Sequence, residues 1–164
     1  MSLIRTRADV SALVLRLALA VVFFPHAAQK VFGWFGGQGL NGTLHGFTSM
    51  GLPLAVVWLV IAAELLGAIG LFLGFLGRIA AFGIFCDMIG AISLVHAKNG
   101  FFMNWSGRQP GEGFEFHLLV LAIALALMIK GSGLWSVDRA LTRELPAAGD
   151  LDVRREHLQH PHAA

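Results

Sequence analysis

Cysteine and charged residues are what this sequence has least of. Cys86 is the only cysteine among 164 residues, which excludes a disulfide framework, a CxxC redox pair and a thiolate metal cage. Charged residues make up only 13% of the chain, against roughly 25% in soluble domains. The formal net charge of +2 is too small to indicate a nucleic-acid partner. Any redox chemistry of this chain therefore needs a borrowed cofactor.

Long apolar runs take the place of the missing charge, because 56% of the residues are hydrophobic and the mean hydropathy is +0.70. The first run resembles a secretory signal, but no A-x-A cleavage site follows it and it carries Arg16, so we expect it to stay uncleaved. The alternation typical of membrane β-barrels is absent. We predict an all-α, polytopic membrane protein with a four-transmembrane-helix bundle. Its spans, each close to the roughly 17–25 residues that cross a bilayer, are residues 10–32, 53–74, 78–97 and 114–130.

Lysine and arginine are distributed unevenly among the connections. Arginines precede the first span, mark the turn at Arg78 and follow the last span, whereas residues 33–52 contain neither residue type. Because positive residues remain on the cytoplasmic side, we predict that both termini are cytoplasmic. The predicted segments are a cytoplasmic N-terminus at 1–9, a membrane domain at 10–145 and a disordered, polar tail at 146–164.

Several polar residues lie where the first span is expected to be in lipid. At 100° per residue, His26 and Lys30 share one face of the helix, Gln29 lies 60° to one side and Arg16 lies about 40° to the other. Pro25 removes a backbone donor directly beneath His26, which predicts a kink. His26, Gln29 and Lys30 fall in the outer third of the span.

Two carboxyl groups lie near the middle of the next two spans. Glu64 is halfway along the second and Asp87 halfway along the third. An ionisable residue at such depth costs about 2.5–3.5 kcal/mol on insertion scales and usually faces a partner inside the bundle. We expect the long side chain of Arg16 to reach toward one of them. His96 ends the third span about 180° from Asp87, so both face inward only if the helix unwinds before His96.

Small residues form stripes on the second and third spans, which permits close helix packing in lipid. We expect these two helices to pack tightly along the stripes, and a homodimer through such a face is a further expectation. The residues concerned are Ala63, Gly67, Gly70, Gly74, Gly83 and Gly90.

Four segments of the sequence together resemble the DoxX family of small four-helix membrane proteins. The resemblance covers residues 10–138 and implies an integral, multi-pass protein of the bacterial inner membrane. It also implies kinship with a membrane subunit of thiosulfate–quinone oxidoreductase and with members described as oxidoreductases or redox-homeostasis components. The segments are "LRLALAVVFFPHAAQKVFGWFGG", "AAELLGAIGLFLG", "HAKNGFF" and "GFEF". The positions that match the family pattern are Arg16, His26, Lys30, Glu64, His96, Asn99 and Glu115.

Three functions remain open from the sequence. In the first, the outer polar cluster binds a quinone headgroup, with His26, Lys30 and Glu64 in catalytic roles because they can donate hydrogen bonds or relay protons. In the second, buried ion pairs fix the bundle, which docks a soluble or membrane-bound redox partner. The third is a small proton-coupled transporter. The residues expected to bind the quinone in the first function are Arg16, Gln29, His96, Asn99 and Glu115.

Other cofactors leave no signal in the sequence. No GxGxxG opens a βαβ unit, and no cysteine set is available for a cluster, so we predict no flavin, nicotinamide, haem or iron–sulfur site. We also predict no metal site. The expected surroundings are the lipid bilayer and a redox partner, without nucleic acid.

Overall fold

The computed structural model describes residues 3–143, and helices joined by turns make up this part of the chain. Among these residues there is no β-strand, which confirms the predicted all-α membrane fold. The predicted tail at 146–164 lies outside the described residues. The six α-helices are α1 (Val10–Phe32), α2 (Gly39–Ser49), α3 (Leu54–Leu73), α4 (Gly77–Ala91), α5 (Glu115–Lys130) and α6 (Val137–Arg143).

Four of these helices form a closed ring: α1 packs against α3, α3 against α4, α4 against α5, and α5 against α1. Three helical stretches in the described part are long and apolar enough to cross a membrane, namely Val10–Phe32, Leu54–Leu73 and Gly77–Asn99. Helix α5 has 16 residues, or about 24 Å at 1.5 Å per residue. This length is less than the roughly 30 Å of a hydrocarbon core, so the fourth span remains a prediction. The cytoplasmic location of both termini also remains a prediction. We call the end where α1 begins and α5 ends the terminal end, and the opposite end the far end.

The first connection contains a helix that the sequence did not predict. Trp34–Gly36 forms a 3₁₀ turn and is followed by α2. Thr43, the one buried residue of α2, donates a hydrogen bond to the carbonyl of Lys30 at 3.0 Å. This bond fixes α2 against the last turn of α1, so the far end is covered by a helix.

Side-chain caps fix the starts of α1 and α4 at the terminal end. The Asp9 carboxylate accepts the N–H groups of Ser11 and Ala12 at 2.8 and 3.2 Å and so caps α1. The Asp138 carboxylate accepts the N–H groups of Leu76 and Gly77 at 2.8 and 3.0 Å. Since these groups open α4, a residue near the C-terminus caps a helix in the middle of the chain.

The expected close packing of α3 against α4 occurs at most of the small residues. A Cβ atom added to Gly67 would lie 3.3 Å from the Ile84 side chain, and one on Gly83 would lie 3.4 Å from Cβ of Ala63. Gly90 has no neighbour within 4 Å of such an atom. The stripe on α4 therefore serves the α3 interface only near Gly83.

Candidate functional site

The centre of the candidate site is an ion pair between α1 and α3. Lys30 Nζ donates a hydrogen bond to Glu64 Oε1 at 2.8 Å and lies 2.7 Å from Glu64 Oε2. The Oε2 contact lacks hydrogen-bond geometry, since this buried oxygen has no hydrogen-bond partner among the described residues. The Glu64 side chain is 7% exposed and that of Lys30 is 22% exposed. The ammonium therefore closes the outer side of a buried carboxylate.

Asp87 of α4 completes this group. Its carboxyl group is close enough to Glu64 for a side-chain hydrogen bond and also interacts electrostatically with Lys30. Asp87 Oδ2 is buried and has no hydrogen-bond partner in the part of the chain that the structure describes. We call Lys30, Glu64 and Asp87 the carboxylate cluster.

An open groove of about 460 Å³ adjoins the carboxylate cluster at the far end, and Lys30 lines it. Its walls combine hydrogen-bonding side chains with apolar ones, which is the composition of many small-molecule sites. Gly37 brings one wall close to α1, because a Cβ atom there would overlap the carbonyl oxygen of Gln29. The remaining lining residues include Gln38, Thr43, Phe47 and Met50.

The polar stripe predicted on α1 divides into separate environments. Lys30 points to Glu64, and Gln29 donates a hydrogen bond to the carbonyl of Phe35 at 3.3 Å while lining the groove. His26 is exposed, and its aromatic neighbour is Phe23 at 6.5 Å between ring centroids. The structure does not bring His26 into the carboxylate cluster.

The expectation that Arg16 reaches Glu64 or Asp87 is wrong. Arg16 is 2% exposed, and its guanidinium lies at the terminal end, where it donates to five backbone carbonyls. The physical reason is that the last carbonyls of a helix have no partner within it, and five guanidinium donors suit this need. The acceptors are Leu71, Phe72, Ser132, Leu134 and Trp135, at 2.7, 2.6, 3.0, 3.3 and 2.7 Å.

His96 belongs to a second polar group at the far end. The backbone forms a π-helical turn over Ile92–His96 and a 3₁₀ turn over Ala97–Asn99, which is the unwinding that an inward His96 requires. His96 Nδ1 lies 2.8 Å from the carbonyl oxygen of Glu112, so this nitrogen carries the hydrogen. The amide of Asn99 donates to the same oxygen at 3.0 Å.

Glu115 holds the adjoining loop rather than the carboxylate cluster. Its Oε1 accepts the backbone N–H of Met103 at 2.9 Å and the indole N–H of Trp105 at 3.3 Å. No hydrogen bond or ion pair within residues 3–143 joins this loop anchor to Lys30 or Glu64. Three of the residues predicted to bind a cofactor therefore organise the connection before α5.

Some residues of these groups were not among the predicted site residues. His117 is 7% exposed, and its ring lies 4.1 Å from that of His96 between centroids. Asp87 was noted for its depth but not assigned to the site, and its distance from Glu64 depends on how α3 and α4 pack. Residues 3–143 contain no group of three His, Cys, Asp or Glu side chains arranged to hold a metal ion.

Comparison with known proteins accounts for most of the chain. The DoxX family model matches residues 11–97. The chain is 31% identical over 130 residues, covering 79% of it and 86% of the relative, to a Bacillus subtilis (strain 168) protein named "Putative oxidoreductase CatD". It is 29% identical over 153 residues, covering 85% of it and 86% of the relative, to "Uncharacterized membrane protein Rv3486" of Mycobacterium tuberculosis (strain ATCC 25618 / H37Rv). No solved structure matches. The family model matches more than half of the chain, and the matched residues form long apolar helices. This chain is therefore a multi-pass membrane protein of the DoxX family.

Proposed function

We propose that this protein is a membrane subunit of a quinone-linked oxidoreductase of the bacterial inner membrane. The observation that carries the proposal is that Lys30 both lines the groove and pairs with a buried carboxylate. A titratable group at the wall of a small-molecule cavity is the arrangement that proton-coupled redox chemistry needs. The name of the relative "Putative oxidoreductase CatD" agrees with this chemistry.

The groove residues fit a quinone headgroup. Carbonyl oxygens require hydrogen-bond donors, which Lys30, Gln29 and Gln38 can supply, while Phe47 and Met50 offer apolar contact to a ring. A volume of about 460 Å³ lies within the roughly 300–1,000 Å³ typical of ligand cavities. A quinone bound there supplies two-electron, two-proton redox chemistry.

The roles of the chain's own residues follow from their positions. Lys30 orients a carbonyl oxygen by hydrogen bonding and balances charge that develops on it. Glu64, which lies behind Lys30 and away from solvent, accepts or returns protons through the ammonium. Electrons come from a soluble or membrane-bound redox partner, because the cofactor signals expected of an electron-carrying chain are absent from the sequence.

A second candidate is a structural module that docks such a partner. It is favoured because the cations inside the bundle already have partners within the protein. Lys30 is ion-paired, and Arg16 donates to five carbonyls. Buried pairs of this kind can fix a unique arrangement of helices without adding stability. In this case the carboxylate cluster holds α1, α3 and α4 together and binds no ligand.

Quinone extraction distinguishes the two candidates. The protein is purified from bacterial membranes in mild detergent, extracted with organic solvent and analysed by mass spectrometry. We expect about one quinone per chain in the wild type and a loss of at least about tenfold in Lys30→Met, which corresponds to roughly 1.4 kcal/mol. Lys98→Met is the matched control, because Lys98 is an exposed lysine at the same end. No quinone in the wild type, together with a co-purifying redox protein, supports the docking module instead.

Complementation tests the role of the same lysine in cells. A deletion strain is grown under oxidative or sulfur-compound stress, with membrane levels of each variant checked by immunoblot. Lys30→Ala should abolish complementation, and Lys30→Arg should restore it poorly, because a planar guanidinium does not replace a compact ammonium at a fitted site. His26→Ala tests the catalytic role predicted for His26. Full complementation by Lys30→Ala contradicts the proposal.

A further inference from the structure

The carboxylate cluster contains two buried carboxyl oxygens without a hydrogen bond. Asp87 Oδ2 lies out of contact with solvent and has no hydrogen-bond donor in residues 3–143. Glu64 Oε2 is equally buried, and its contact with the Lys30 ammonium at 2.7 Å lacks hydrogen-bond geometry. The Glu64 and Asp87 side chains are within hydrogen-bonding reach of each other. Buried polar atoms are nearly always paired, because an unpaired one loses its hydrogen bonds to water without gaining a replacement.

One proton satisfies both oxygens. Two ionised carboxylates have acceptors only, so they cannot form a hydrogen bond with each other. If one of them is protonated, its O–H group donates to the other, and one donor is created for one acceptor. The alternative, with both groups ionised, leaves Asp87 Oδ2 without a donor and places two negative charges side by side.

Charge balance favours the same state. Lys30 contacts Glu64 and interacts electrostatically with Asp87, and it neutralises one carboxylate. The other titratable groups on neighbouring helices supply no further cation. Arg16 of α1 is bound to carbonyls at the terminal end, and His26 of α1 and His45 of α2 are exposed. Helix α5 carries Glu115 and His117 in its first turn and Lys130 in its last. A second buried negative charge would therefore lack a counter-ion near the middle of the bundle, where ionisation is costly.

We infer that Glu64 and Asp87 share one exchangeable proton, so that Asp87 is the third member of the site and the carboxylate cluster is a proton store. Release of this proton breaks the carboxyl O–H bond and leaves its electron pair on the oxygen. The new O–H bond forms on water or on an oxygen of a molecule in the groove. The inference deepens the proposed function, but the proton itself can be observed without any quinone.

Infrared spectroscopy of the purified protein in lipid nanodiscs tests the inference. We expect the C=O stretching band of one protonated carboxyl group at neutral pH, shifted in D₂O because the proton is exchangeable. Asp87→Asn should remove the band and keep the fold, since its amide donates to Glu64 in place of the proton. Glu64→Gln should also remove the band, because Asp87 then ionises beside Lys30. Glu112→Gln, which changes an exposed carboxyl, should leave it intact.

The unsubstituted protein gives a second measurement that does not depend on variants folding. Labelling the side-chain carboxyl carbons of aspartate or glutamate with ¹³C should shift the band, since the proton is shared between one residue of each type. Absence of the band at neutral pH overturns the inference, as does its persistence in Asp87→Asn. A thermal stability that rises with sodium concentration in the absence of the band also overturns it, because a cation would then occupy the place of the proton. A band without bound quinone would retain the inference and reject the proposed function.

Discussion

Replacing Arg16 by leucine should destabilise the protein more than replacing an exposed arginine by leucine. The Arg16 guanidinium joins the end of α3 to the connection between α5 and α6 through five carbonyls. Asp138 lies near enough to interact with it electrostatically. Leucine retains part of the volume of the arginine stem but supplies no donor.

The magnitude follows from how deeply the five acceptors lie. The hydrogen bonds to Leu71 and Ser132 are buried, and the other three are partly buried. Two buried carbonyls without a donor cost about 1–3 kcal/mol each, whereas water can reach the others. The Leu71 oxygen retains a bond from the N–H of Gly74, which lowers its share. We therefore expect a loss of about 2–5 kcal/mol.

Thermal unfolding in detergent, followed by size-exclusion chromatography, measures this loss. At roughly 2–4 °C per kcal/mol for a domain of this size, the midpoint should fall by about 4–20 °C. The unfolding midpoint of Arg16→Lys should lie between those of the wild type and Arg16→Leu, because an ammonium has three donors and no planar fork. Arg7→Leu is the control, since Arg7 is exposed. If Arg16→Leu unfolds at the same temperature as Arg7→Leu, the guanidinium does not hold these segments together.

Three further predictions concern acid stability, a close backbone contact and topology. Hydrogen bonding from Lys130 is the largest cause that holds the pKa of Asp9 well below its ordinary value of 3.8, so the pair stabilises the fold above that value and loses this effect as pH falls. The advantage of the wild type over Asp9→Asn in detergent unfolding should therefore shrink below about pH 4, and a constant difference would contradict the pairing. Gly37→Ala should lower the free energy of unfolding by about 1–3 kcal/mol, because its Cβ meets the Gln29 backbone. Gly90→Ala, with open space around it, should leave the unfolding midpoint unchanged. A C-terminal alkaline phosphatase fusion should be inactive, and activity outside the cytoplasm would reverse the predicted orientation.

Helix content could be predicted from the sequence because the bilayer restricts the choice of structure. Apolar runs of spanning length favour helices, since backbone groups in lipid must be satisfied within the segment. Helix α2 was not predicted because Gly39–Ser49 is rich in glycine and threonine and has few strong helix formers. Its position depends on the hydrogen bond from Thr43 to Lys30, which no local pattern reveals.

The site could be predicted only in part, for a related reason. Burial cost alone indicates that Glu64 requires a partner, and the helical face of Lys30 makes it a candidate. Periodicity, however, gives direction around one helix and not the separation between helices. The length of Arg16 therefore predicted contact with a carboxylate, whereas the carbonyls at the end of α3 are nearer acceptors. The same limit applies to Glu115, which the loop captures through Met103.

The partners of the cations suggest why chemistry should reside at the carboxylate cluster rather than elsewhere in the bundle. At the terminal end, Arg16 and Arg78 donate to backbone carbonyls, which do not titrate, so these contacts are the same at every physiological pH. Lys30 instead pairs with Glu64, whose neighbour Asp87 offers a second carboxyl group. In the state that we propose, release of the proton shared by Glu64 and Asp87 changes the hydrogen bonding of this cluster. A terminal end held by carbonyl contacts and a carboxylate cluster beside an open groove together agree with the proposal that ligand binding is coupled to proton transfer.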